Sequence, residues 1–239
     1  MPRIILTVLL ASAALAVPGR AATFESGERQ TALVELYTSE GCSSCPAAEA
    51  QLARLRDDSE LWKGFVPVAF HVDYWDRLGW PDRFASAMFT RRQYDYAARW
   101  RSGSVYTPAF VRNGREGNAA TPTGRPGRLR VEVAPDGKIT VAFQPTDLPA
   151  GGLVVEAAPL ASGVVSDVRR GENAGRKLAH EFVALDLLRA PLERRGDAWT
   201  ATLTLPTKTA APASALAAWV HTAEDPAALQ AAGGWLAKP

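Results

Sequence analysis

The chain has 239 residues, 47% of them hydrophobic and 22% charged, enough apolar material for one large or two modest globular cores, so a disordered chain is excluded. Its formal net charge is +2 and no basic stripe runs through it, which removes the electrostatic footprint expected of a nucleic-acid or anionic-membrane binder.

At the N-terminus, Arg3 precedes the apolar run Ile4 to Val17 and the small residues around Gly19 and Ala21, the layout of a secretory signal peptide over residues 1–21. The run is short for a bilayer span, although an uncleaved anchor remains the alternative. Cleavage would remove Arg3 and Arg20, leaving 25 basic residues against 25 acidic ones, with no membrane span in an exported chain, periplasmic or secreted.

Thr31 to Tyr37 is a short apolar strand, Thr38 to Gly41 a turn, and Ala47 to Arg56 a helix with apolar residues at Ala48, Leu52 and Leu55. Between turn and helix stands Gly41-Cys42-Ser43-Ser44-Cys45-Pro46, which holds the chain's two cysteines. A disulfide across so small a loop removes little unfolded-chain entropy, so a redox dithiol is favoured over a local staple. A lone Cys-x-x-Cys as half of a metal site is the other alternative, and the three histidines are scattered. At a helix N-terminus, free N–H groups and the helix dipole stabilise the thiolate of Cys42, leaving the more shielded Cys45 to resolve a mixed disulfide. Glu35, in the preceding strand, is a candidate acceptor for the Cys45 proton, whereas Glu40, on the turn, reads as a surface acid.

Further along, Phe65 to Val72 reads as a buried strand ending at His71, a core residue or a thiolate-tuning one. Asp73, Tyr74, Trp75 and Trp80 follow that strand end, and either wall a ligand site or form an aromatic lid. Asp82 to Trp100 reads as helical, with Thr90 opening a capping box and Arg91, Arg92 and Arg99 forming a solvated face. Tyr106-Thr107-Pro108 leads a third strand that turns at Asn113-Gly114, and the alternation of strand and helix suggests parallel pairing.

Glu35 to Pro46, His71 to Asp76 with Leu78-Gly79-Trp80, Ser104 to Pro108 and Arg170 to Arg176 resemble a family of secreted thioredoxin-like proteins catalogued as a domain of unknown function, number twelve-twenty-three. The resemblance covers most of the chain beyond residue 21 and implies a redox-type site in which a cis Pro108 faces the dithiol. Tyr106 and Thr107, with Asp73, Trp75 and Trp80, are then the candidate substrate contacts. Two departures stand out: Glu35 lies one residue away from the buried acid of thioredoxins, and Gly117 to Gly127, rich in Gly, Pro and Thr, occupies the place of a closing helix.

The second half changes character. Arg128 to Phe143 is an alternating hairpin around Pro135-Asp136-Gly137, followed by strands near 153–157, 164–168, 182–188, 199–205 and 215–221. The polar loop Arg169 to Arg176 either receives an acidic partner or stabilises an interdomain turn, and His180 and His221 read as surface or strand residues. The expected organisation is an α/β thioredoxin-like domain (22–121), a linker (122–127) and an all-β sandwich-like domain (128–239). The expected activity is thiol–disulfide exchange with a protein or small-molecule partner, with no cofactor. The rivals are Cu(I) handling by Cys42, Cys45 and His71, or a non-catalytic envelope binding protein.

Overall fold

A computed structural model describes residues 21–117, 123–147 and 151–236. The expected signal segment, apart from residue 21, and the first residue of the expected linker lie outside the described residues.

Among the described residues there are sixteen strands and two α-helices, so the chain is mostly β. The expected α/β thioredoxin-like domain followed by an all-β sandwich-like domain does not form. A nine-stranded sheet runs through both halves of the sequence instead. Ala32–Thr38 pairs in parallel with Phe65–His71 and antiparallel with Ala109–Arg112. On its other edge, Phe65–His71 takes Val183–Ala184 as a parallel neighbour, and Val183–Ala184 pairs antiparallel with Leu153–Ala161. Ala215–Thr222 and Gln230–Trp235 complete that side. The physical reason is edge satisfaction: an open edge on the buried Phe65–His71 strand would leave its backbone groups unpaired, and strands from the second half fill it. Parallel pairing of all the early strands therefore fails at Ala109–Arg112.

Side-chain alternation lets one sheet serve two cores. Leu216, Ala218 and Val220, with Leu153, Val155 and Ala157, face a second sheet through Leu129, Val131, Ile139, Val141 and Phe143. That second sheet is built around the expected hairpin, Gly127–Val133 with Lys138–Pro145. Ala215, Ala217 and Trp219, with Ala158 and Leu160, point the other way, into the core shared with the helices. Strands buried on both faces need apolar residues at nearly every position, which is why 215–220 and, apart from Glu156, 153–161 read as continuous runs.

Helix α1 spans Cys45–Ala53 and continues as a 3-10 turn, Arg54–Asp57. Helix α2 spans Ala87–Arg99 and starts at Ser86, whose hydroxyl accepts the Met88 N–H at 3.3 Å; Thr90 lies inside the helix rather than opening one. The buried residues Phe89, Arg92, Gln93, Tyr96 and Ala97 form one helical stripe. Arg92 thus leaves the solvated face expected for it. Its Nε donates to Glu35 at 2.6 Å, its Nη1 to Glu156 at 2.5 Å and its Nη2 to the Tyr96 hydroxyl at 3.1 Å, while the guanidinium stands 4.9 Å from the Trp219 ring.

Removing one partner of a buried charge cluster leaves the others without counter-charge. Arg92→Met is therefore expected to lower unfolding free energy by about 3–5 kcal/mol, measured by chemical denaturation. Burial works against ionised Glu156, but the Arg92 charge prevails and holds its pKa down to about 2. Because its folded pKa lies below the unfolded value, its contribution is complete above about pH 4.5 and fades as pH falls toward 2. The acid limb of the stability curve should lose on the order of 3 kcal/mol there, and Glu156→Gln should flatten it.

Candidate functional site

Cys42 and Cys45 form a disulfide with Cα atoms 5.4 Å apart. Pro46 sits in the first turn of α1, where a missing N–H is harmless. The Ser44 hydroxyl lies 3.4 Å from Cys42 Sγ and is placed to donate to a thiolate there. Exposure does not separate the two cysteines: both are fully buried, and Ser43 and Ser44 form the outer surface of the turn.

Two segments cover the turn. The first is a 3-10 helix, Asp73–Leu78. A Cβ added to Gly41 would lie 3.1 Å from Trp75 Cβ, so glycine permits this approach. The Trp75 indole N–H then donates to Thr107 Oγ1 at 2.7 Å, linking the dithiol turn to the Thr107–Pro108 peptide, which is cis. The second cover is the polar loop 169–176. Fully buried Asn173 donates through Nδ2 to the carbonyls of Glu40 and Cys42, both at 2.9 Å, and Glu172 accepts the Ser43 N–H at 3.0 Å. Arg176 holds the Asn173 amide oxygen at 2.6 Å.

Beneath the turn lies a buried set of acids and imidazoles. Glu40, expected on the surface, is 1% exposed; its Oε2 accepts the Trp80 indole N–H at 2.7 Å, and its Oε1 lies 3.3 Å from His180 Nε2. His180 Nδ1 pairs with Glu49, whose other oxygen accepts the Thr38 hydroxyl at 2.7 Å. His71 Nδ1 meets Asp82 Oδ2 at 2.7 Å, and Asp82 also accepts the N–H groups of Glu40 and Phe84. Burial alone would discharge both imidazoles. Glu40 and Glu49 outweigh it and lift His180 to about 9. Asp82 likewise raises His71 against its burial.

Several expected site residues stand elsewhere. Glu35 is fully buried, but on the sheet face covered by α2, where it is held by Arg92 and by Tyr96 at 2.7 Å. Asp73 accepts the Thr90 hydroxyl at 2.6 Å and so ties its 3-10 helix to α2. Tyr106 is exposed, with its hydroxyl on Glu116 and its carbonyl accepting from Gln93 at 2.7 Å. Trp75 does meet the dithiol turn and Thr107 is joined to it only through Trp75, while Trp80 serves Glu40 beneath it.

Residues 33–221 match the family described as a protein of unknown function, DUF1223. The chain belongs to this family. A crystal structure of an Agrobacterium tumefaciens protein is 25% identical, with a TM-score of 0.63 over 87% of this chain and 95% of that one. HBP35 of Porphyromonas gingivalis is 14% identical, with a TM-score of 0.59 over 87% of this chain and 76% of that one, a likeness of fold alone. Since 87% exceeds either half, the architecture joining the two halves in this DUF1223 chain is shared with both. No curated protein matches it.

Asn173→Ala removes the shared donor of two buried carbonyls. It should cost roughly 1–3 kcal/mol in denaturation and speed reduction of the Cys42–Cys45 disulfide by dithiothreitol. An unchanged reduction rate would show that the loop does not guard the sulfurs.

Proposed function

We propose that the protein exchanges electrons with thiols or disulfides of an exported partner through Cys42 and Cys45. The observation that carries this reading is the disulfide closing the four-residue turn 42–45 at the start of α1, against which Trp75 packs while its indole N–H holds Thr107. A disulfide this local contributes little as a staple, and the Ser44 hydroxyl and the helix N-terminus both stabilise a Cys42 thiolate.

In the oxidised form, a partner thiolate attacks Cys42 Sγ, forming the mixed disulfide and releasing Cys45 as a thiolate that takes up a proton. A second partner thiol, as its thiolate, then displaces Cys42; the partner leaves oxidised by two electrons and the protein holds a dithiol. The reverse sequence reduces a partner disulfide. Because both cysteines are buried, either direction requires the cover formed by Trp75 and Asn173 to part.

Cys45→Ser is expected to accumulate mixed disulfides on Cys42, resolved by non-reducing electrophoresis and mass spectrometry. Equilibration with glutathione gives the reduction potential that decides the direction of transfer. A variant that captures nothing, with a wild type that does not exchange with a small disulfide, would sink the proposal.

A further inference from the structure

On the sheet face that carries α1, Glu40, Glu49 and Asp82 are buried, and among the described residues no Lys or Arg is paired with any of them. Their charged partners are the imidazoles of His71 and His180. We propose that Glu49, His71 and His180 bind one divalent transition-metal ion with the coordination preferences of zinc, in a site separate from the cysteines.

Each of the three residues offers a donor atom, and the three atoms lie within 4.8 Å of one another. Donors of a tetrahedral zinc ion stand roughly 3.3 Å apart, so side-chain movement of about an ångström brings these three into place. The free nitrogen of His71 is Nε2, fully buried and without a hydrogen-bond partner, because Nδ1 is engaged by Asp82. His180 presents Nδ1 to Glu49. Glu49 has one oxygen on the Thr38 hydroxyl, which leaves Oε2 for the ion.

The surrounding groups are those of a metal centre. A ligating histidine ordinarily has a carboxylate on its other nitrogen, which fixes the ring and makes it a stronger donor. Asp82 is hydrogen-bonded to His71 Nδ1 at 2.7 Å, and Glu40 Oε1 stands at ion-pair distance, 3.3 Å, from His180 Nε2 without hydrogen-bond geometry. These outer carboxylates are themselves held, Asp82 by two backbone N–H groups and Glu40 by the Trp80 indole. Binding a dication releases the imidazole protons, so the positive charge set against the three buried carboxylates is kept. Two imidazoles and a carboxylate suit Zn2+ and lack the soft sulfur ligands that Cu(I) favours. Three protein ligands leave the fourth tetrahedral position to a water molecule, and all three, being buried, tie α1 to the Phe65–His71 and Lys177–His180 strands.

The test uses the full purified chain, stripped with chelator in denaturant and refolded with or without ZnCl2, its metal content read by plasma mass spectrometry. About one zinc per chain is expected, with a rise of several degrees in Tm over the metal-free protein. His71→Asn, which keeps a donor for Asp82, and His180→Gln should each weaken zinc binding at least tenfold, whereas the Cys42→Ser, Cys45→Ser double variant should retain it. Cobalt in place of zinc should give d–d bands without thiolate charge transfer. Failure of the wild type to retain zinc overturns the proposal, as does zinc that survives both histidine variants or disappears with the cysteines. If the histidine variants do not fold by circular dichroism, Asp82→Asn gives the same reading, and the wild-type stoichiometry decides by itself. Thiol-exchange assays read the cysteines alone, so either result stands without the other.

Discussion

The buried Arg92 guanidinium is the constraint from which the rest of the arrangement follows. It is anchored to Glu35 on a strand of the first half and to Glu156 on a strand of the second, so a single side chain of α2 measures the distance between them. Such a charge is tolerable only while both carboxylates stay in place. The next residue, Gln93, reaches the Tyr106 carbonyl and the Tyr74 hydroxyl, one beside the cis peptide and the other beside Trp75. The position of α2 on the sheet is thereby carried to the dithiol turn through groups that never touch a sulfur.

The turn itself is a local structure finished by distant residues. Its four-residue geometry belongs to the sequence, but its carbonyls are satisfied by Asn173 and its outer N–H by Glu172, well over a hundred positions away. The buried acids and imidazoles below it follow the same division. Glu40 and Glu49 come from the turn and its helix, while His180 arrives on a strand of the other half.

Periodicity and turn chemistry made the local elements legible. The Cys-x-x-Cys at a helix start, the cis Thr107–Pro108, the Pro135-Asp136-Gly137 hairpin and the buried strands at 65–71 and 153–157 all follow from spacing or from family resemblance. What local pattern could not convey is which strand edges meet. The closing tract at 117–127 signalled missing cover, but nothing in it named Val183–Ala184 as the neighbour of Phe65–His71. Arg92 looked like one more charge in an arginine-rich stretch because its two acids lie 57 and 64 residues away. Glu49 did leave a signal, an acid between Ala48 and Leu52 on the apolar stripe of a helix, and so did His180 at an inward position of an alternating strand. The dense polar loop at 169–176 was visible too; its role as a clamp needed the fold.

Asn173 sets an order of assembly. A chain made from its N-terminus exposes Cys42 and Cys45 long before residue 173 exists, and closing a contact across 131 residues costs loop entropy that local turns do not. The thiols therefore live first as an unclamped, solvent-facing pair and only later as an enclosed one. The clamp thus separates two conditions of the same pair, one in the growing chain and one in the folded protein, where any chemistry at the sulfurs waits for the cover to part.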